Sequence, residues 1–111
     1  MNSNSKIDNA LEAGDLILYN DSLILSSKKT GEEIRLSDKE YKIIEVLMTG
    51  YGKIITRETL ALRVWGFENE AEYNNVEVYI SFTRKKLSFI GTQMEIKAVR
   101  GVGYELKEKH V

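Results

Sequence analysis

The side chains best suited to chemistry lie in the last third of the chain, in the segments NNVEVYISFTRKKL (residues 74–87) and VRGVGYEL (residues 99–106). Arg and Lys bind phosphates, whereas Asn, Glu and Ser can hydrogen-bond to the edges of bases. The major groove of duplex DNA admits a helix, and the minor groove admits an arm that carries Arg. A basic helix followed by a loop with Arg100 therefore indicates a protein that binds duplex DNA.

Charge is divided unevenly along the chain, which has a net charge of −1. Residues 1–73 hold 9 Lys+Arg and 13 Asp+Glu, which gives −4, and residues 74–111 hold 7 and 4, which gives +3. A local basic face, not the total charge, is what attracts nucleic acid. A solvated charged surface would show the same asymmetry, and Lys85 and Lys86 also suit the C-terminal end of a helix dipole. Charge alone leaves both interpretations open.

Composition argues against several kinds of catalytic or metal site. The chain has no cysteine, which excludes disulfides, thiolate zinc sites and cysteine nucleophiles. Its one histidine, His110, is next to last, so a histidine-based catalytic pair is not expected. Glu68, Glu70 and Glu72 fall in a predicted loop without a basic or metal-binding partner. We therefore expect no enzyme activity, no metal and no cofactor.

The apolar runs of the chain are all shorter than the ~20 residues that a membrane-spanning helix needs. The start, MNSNSKIDNALEAG, lacks the apolar region of a signal peptide. We expect a soluble cytoplasmic protein. A length of 111 residues suits one domain, and 42% hydrophobic residues suffice for a core.

The first third of the chain alternates short apolar runs with turn residues. DLILYN, SLILSS and EEIRL are separated by turn-like residues such as Asn20-Asp21 and Thr30-Gly31. This pattern predicts a small antiparallel sheet. Residues 1–13 are interpreted as a linker or tail, and residues 14–108 as the domain.

Three helices and a hairpin are predicted to follow. Ser37 and Glu40 form the pattern of a capping box at the start of the first helix, and Thr56 is the candidate cap of the second, which Gly66 ends. The third helix is predicted over residues 75–87. Its buried stripe would comprise Val76, Ile80, Thr83 and Leu87, and its opposite face Asn74, Val78, Ser81 and Lys85. Two strands around Arg100–Gly103 then predict a hairpin with a tight tip.

These pieces together resemble the C-terminal DNA-binding domain of OmpR/PhoB-type bacterial response regulators. The matching segments are LSDKEYKIIEVL, GKIITRETLALRVWG, NNVEVYISFTRKKL and IKAVRGVGYEL. The resemblance implies an α+β winged helix-turn-helix fold with an N-terminal antiparallel sheet, three helices and a C-terminal β-hairpin, the wing. It implies sequence-specific DNA binding and transcription regulation as the output domain of a two-component system.

The resemblance also implies roles for single residues. The third helix would be the recognition helix in the major groove, and Arg100 at the wing tip would enter the minor groove. The bases or nearby phosphates would be faced by Asn74, Asn75, Glu77, Val78 and Ser81. The DNA backbone would be contacted by Thr56, Arg57, Trp65, Arg84 and Lys85. In this scheme a carboxylate accepts from cytosine N4, and Val78 packs on a thymine methyl group.

This chain departs from the common pattern at Phe82-Thr83, where many members of the family have Arg-Leu. The loss of that Arg removes one phosphate or base contact. Phe82 would then contact a sugar, a thymine methyl group or the protein itself.

Partners are implied by the same resemblance. They are promoter DNA, usually as direct repeats bound by a head-to-tail dimer, and RNA polymerase, contacted through the acidic loop with Glu68, Glu70 and Glu72. The longer protein would carry a receiver domain phosphorylated by a sensor histidine kinase. The alternative is a winged helix that serves as a protein-interaction module without binding DNA.

Overall fold

The computed structural model describes residues 9–66 and 75–110. Its first element is an antiparallel sheet with the strand order β1-β2-β3-β4. The strands are β1 (Ala10–Ala13), β2 (Leu16–Tyr19), β3 (Ile24–Ser27) and β4 (Glu33–Arg35). Leu16 and Leu18 of β2 lie on the same face of the sheet as Leu25 of β3, and all three are fully buried in the core. The predicted small sheet is confirmed.

The sheet begins earlier than the sequence pattern indicates. Strand β1 lies within residues 1–13, which the pattern assigns to a linker, and that interpretation is wrong for Ala10–Ala13. Leu11 pairs with Leu18 of β2 and lies against the core. One leucine in a four-residue strand leaves too little alternation to be recognised without its partner strand. Residues 1–8 lie outside the described part of the chain.

Helix α1 spans Asp38–Thr49 and begins with the predicted capping box. The backbone N–H of Ser37 donates to Glu40 Oε1 at 2.8 Å, and the N–H of Glu40 donates to Ser37 Oγ at 3.3 Å. Ile43, Ile44 and Leu47 of this helix are fully buried. The capping box satisfies two backbone donors at the helix start and so fixes where α1 begins.

The next two helices form the helix-turn-helix. Helix α2 spans Arg57–Trp65, and its predicted cap is confirmed because Thr56 accepts a hydrogen bond from the N–H of Thr59. Helix α3 spans Val76–Ile90, three residues beyond the predicted end at Leu87. The extra turn forms because Ile90 is fully buried and continues the apolar stripe. Gly91, at φ 65°, then ends the helix in the left-handed conformation.

A second, three-stranded sheet contains the predicted C-terminal hairpin. The short strand β5 (Ile55–Thr56) lies just before α2, and the hairpin itself is built from β6 (Met94–Val99) and β7 (Gly103–Glu108). Strand β5 pairs with β7, which gives the sheet order β5-β7-β6. Thr56 lies opposite Gly103 in this pairing. The wing is therefore paired with the residue that caps α2.

One apolar core joins both sheets and the three described helices. The α+β winged helix-turn-helix architecture predicted from the sequence is confirmed. Among the described residues, no helix combines the length and the apolar character needed to cross a membrane.

Candidate nucleic-acid interface

The solvent-facing side of α3 is the first component of the candidate interface. Val76, Ile80, Thr83 and Leu87 are buried, so the predicted inward stripe is confirmed. On the other side Val78, Ser81, Phe82 and Lys85 are exposed. We call these four residues the crest of α3. The crest is mixed, because Ser81 and Lys85 can hydrogen-bond while Val78 and Phe82 are apolar.

Glu77, at the start of α3, is engaged by residues of the protein. Arg57 donates to both of its carboxylate oxygens, from Nε to Oε2 at 2.7 Å and from Nη2 to Oε1 at 2.9 Å. The hydroxyl of Tyr104 in β7 also donates to Oε2, at 3.2 Å. The hydrogen bonds from Arg57 lower the pKa of Glu77 to about 2. The carboxylate thus joins α2, α3 and the wing, and its predicted role as an acceptor for cytosine would compete with these bonds.

The RKK cluster at residues 84–86 divides into distinct roles. Arg84 donates from Nε and Nη2 to the backbone oxygen of Ile96 in β6, at 3.0 and 2.8 Å. Lys86 Nζ lies 2.6 Å from Glu40 Oε1 and so joins α3 to the capping box of α1. Lys85 is exposed on the crest. Contact with phosphates thus remains a straightforward expectation for Lys85, whereas the Arg84 guanidinium already holds the wing.

Trp65, at the end of α2, is only 7% exposed. Its ring meets Tyr79 of α3 edge to face, and Lys39 Nζ lies 6.0 Å from the ring centroid. Packing therefore accounts for this residue, and its contact with a DNA phosphate stays a prediction. Thr56 is exposed and its hydroxyl donates to Thr59 Oγ1 at 2.9 Å.

The wing tip supplies the second exposed feature. Arg100 is exposed in the turn between β6 and β7, and Gly101 adopts φ 76° there. The backbone N–H of Arg57 donates to the oxygen of Val102 at 3.2 Å, which ties the tip to the start of α2. An open cleft of about 320 Å³ lies between the wing tip and the starts of α2 and α3. It is lined by Arg57, Glu58, Glu77 and the residues from Ala98 to Tyr104.

The remaining predicted residues are partly outside this description. Asn75 is the half-exposed residue at the N-cap of α3, where its side chain makes no capping hydrogen bond. Asn74 and the acidic residues Glu68, Glu70 and Glu72 lie outside the described residues.

Two features of this region are not evident from the sequence. One is the aromatic series Trp65–Tyr79–Phe82, for which the only signal is two aromatic residues three positions apart on a helix. The other is Asp15, which accepts hydrogen bonds from Ser27, Thr92 and Gln93 and so joins the first sheet to the segment after α3. No local pattern identifies such a partner.

The three helices of the described residues, with a wing tied to the second and third, define the class of winged helix-turn-helix DNA-binding domains. Residues 31–106 match the family model described as "Transcriptional regulatory protein, C terminal". The chain belongs to this family, and the predicted resemblance to effector domains of OmpR/PhoB-type response regulators is confirmed. The family assigns it to DNA-binding regulators of transcription.

Curated relatives agree with this assignment. The chain is 42% identical over 101 residues to the transcriptional regulatory protein DltR of Streptococcus agalactiae, covering 91% of this chain and 44% of that protein. It is 38% identical over 77 residues to the response regulator ArlR of Staphylococcus haemolyticus, covering 69% and 35%. The chain thus spans less than half the length of these curated relatives.

Solved structures show the same fold. The C-terminal domain of the nisin resistance regulator NsrR superposes with a TM-score of 0.74 at 31% identity, covering 90% of this chain and 99% of that one. The DNA-binding domain of the response regulator AdeR, in complex with an intercistronic region, gives a TM-score of 0.73 at 28% identity, covering 88% and 99%.

Proposed function

We propose that this domain binds specific sequences of promoter DNA with α3 in the major groove and Arg100 in the minor groove. The observation that carries the proposal is the pairing of two exposed features on one rigid frame. The crest of α3 offers side chains for base edges, and the wing tip offers an arginine. The hydrogen bond from Arg57 to Val102 and the bonds of Arg84 to Ile96 hold the helix and the wing in a fixed relation.

Roles within the interface follow from the chemistry of each side chain. Ser81 and Asn75 suit hydrogen bonds to base edges, and Val78 suits apolar contact in the major groove. Lys85 suits a phosphate, which positions the protein without reading sequence. Thr56 lies exposed at the start of α2, where helix N–H groups favour a phosphate. The complex of the AdeR domain with an intercistronic region supports DNA binding by a domain of this fold.

We also infer that the chain works as the output part of a longer response regulator. The proposal rests on relatives of which the chain spans less than half the length. In such a protein a receiver domain, phosphorylated by a sensor histidine kinase, would control the domain in the cytoplasm. Two copies would bind direct repeats head to tail, and the acidic segment with Glu68, Glu70 and Glu72 would contact RNA polymerase.

The test is salt-dependent binding of the 111-residue domain to genomic DNA fragments selected for tight binding. A motif shared by the selected fragments is expected, and Arg100→Ala should weaken binding by roughly 1–3 kcal/mol. Lys109→Ala is the matched control, because it removes a positive charge at the opposite end of the hairpin. Absence of a motif, with all three proteins binding alike, would instead favour the protein-interaction module.

A further inference from the structure

Phe82 is an exposed aromatic residue whose ring packs against another aromatic ring of the same helix. Its ring meets Tyr79 edge to face, with centroids 5.3 Å apart and an interplanar angle of 81°. Tyr79 in turn meets Trp65 at 5.6 Å and 68°. We call these three residues the aromatic series. It runs from Trp65, 7% exposed, to Phe82, 42% exposed, so the outermost ring rests on the domain core.

Val78 lies one helical turn before Phe82 and is 46% exposed. The two side chains make an apolar strip along the crest of α3, bordered by Ser81 and Lys85. A partner that covered these two apolar groups would remove their surface from water, which is favourable. A phosphate cannot be that partner, because neither side chain donates a hydrogen bond.

The major groove offers one apolar feature, the C5-methyl group of thymine. Apolar side chains on a helix in that groove contact this methyl group, and they discriminate thymine from cytosine because cytosine lacks it. The neighbouring Lys85 would hold the strip close to the groove through a phosphate. The covering partner that fits this position is therefore thymine.

We propose that Phe82, where this chain departs from the common pattern of the family, joins Val78 in reading thymine methyl groups, and that the aromatic series fixes the position of the Phe82 ring. The inference rests on the proposed function, since it requires α3 to enter the major groove. Support from Tyr79 restricts the ring before DNA arrives, which reduces the ordering that binding requires. The operator should therefore contain thymines at fixed positions in each half-site.

The test uses the 111-residue domain and its selected DNA, with each thymine in turn replaced by deoxyuridine. This replacement removes only the methyl group and leaves the hydrogen-bonding edge unchanged. Fluorescence anisotropy should show one or two positions per half-site at which binding weakens by about fourfold, the effect of uncovering one methyl-sized apolar group.

Variants identify which side chain reads each position. Phe82→Ala should bind thymine and deoxyuridine equally at one position, and Val78→Ala should do so at another. Phe89→Ala is the matched control, because Phe89 lies on the same helix with 65% exposure and is not part of the aromatic series. It should keep the pattern of the unaltered domain.

Two results would overturn the inference in distinguishable ways. Tight binding that is indifferent to deoxyuridine at every position would refute thymine reading and leave the proposed function standing. Sensitivity that persists unchanged in both Phe82→Ala and Val78→Ala would refute their assignment. A domain that binds no duplex at all would refute the inference together with the proposed function.

Discussion

The guanidinium of Arg57 donates hydrogen bonds to both carboxylate oxygens of Glu77, at 2.7 and 2.9 Å. These bonds join the start of α2 to the start of α3. Tyr104 adds a third hydrogen bond from the wing. Both charged residues are predicted to contact DNA, yet each neutralises the other in the unbound domain. We therefore propose that Glu77 acts on DNA binding mainly by positioning α3 and by occupying Arg57.

Replacement of Glu77 by Gln should separate these two effects. The folded domain should lose about 0.2–1 kcal/mol of stability, since Glu77 is largely exposed and exposed ion pairs contribute little. The positive charge of Arg57 is then no longer neutralised by Glu77, so the plot of log affinity against log salt should become steeper by about one unit. Glu58→Gln is the control, because it removes a carboxylate from the same cleft but leaves the pair intact. Weaker binding at unchanged salt slope would show instead that Glu77 accepts a hydrogen bond from a base.

Arg84 and Lys85 are neighbours for which opposite effects are expected. Arg84→Lys keeps the charge but loses the two-pronged bond to Ile96, so stability should fall by about 1 kcal/mol with little change in the salt slope. Lys85→Ala should reduce the salt slope by about 0.9 and change stability by less than about 0.5 kcal/mol. Urea denaturation and salt titrations of DNA binding measure both quantities. A reduced salt slope in Arg84→Met, which removes the charge as well, would return Arg84 to the phosphate contacts.

The sequence predicts those parts of the fold that are encoded locally. The capping box of Ser37 and Glu40, the buried stripe of α3 and the hairpin around Arg100 each involve residues close in sequence or a regular spacing. Such patterns identify which face of an element is buried. They are therefore sufficient for the architecture and for the exposed crest.

Contacts between elements are not predictable in the same way. Arg57 and Glu77 are 20 residues apart, and Asp15 lies 77 residues from Thr92. Periodicity shows that a polar side chain is exposed, but it does not identify the side chain or backbone oxygen that it meets. For this reason the sequence does not predict the bond of Arg84 to Ile96, while the DNA contact of Arg84 stays a prediction. For the same reason the sequence assigns β1 to a linker although it pairs with β2.

Gly103→Ala should loosen the wing. A Cβ at this position would lie 2.0 Å from the backbone oxygen of Ile55 and 2.7 Å from the Cα of Thr56, so β5 and β7 would have to separate. We expect a loss of about 1–3 kcal/mol in unfolding free energy and weaker DNA binding.

Gly101→Ala is the comparison, because a Cβ there would meet no other atom within 4 Å and only the φ of 76° opposes the change. That variant should lose about 1–2 kcal/mol while the pairing of β5 with β7 persists. Loss of the β5 amide protection in hydrogen exchange for Gly101→Ala but not for Gly103→Ala would contradict this account.

Asp15 should make the domain sensitive to acid. Burial raises the pKa of Asp15, but hydrogen bonds from Ser27, Thr92 and the backbone N–H of Gln93 outweigh it and leave the pKa below the ordinary 3.8. A carboxyl whose pKa is lower in the folded state stabilises that state above its unfolded pKa, and this contribution disappears as the pH falls through the folded pKa.

Asp15→Asn places an amide N–H₂ where Ser27 or Thr92 donates, so the variant should be less stable at neutral pH. The difference from the unaltered domain should shrink as the pH falls below about 3.8. Denaturant unfolding between neutral and strongly acidic pH measures it, with Asp21→Asn, in an exposed turn, as the control. A constant difference across that range would mean that packing, and not the charge of Asp15, holds the first sheet to the segment after α3.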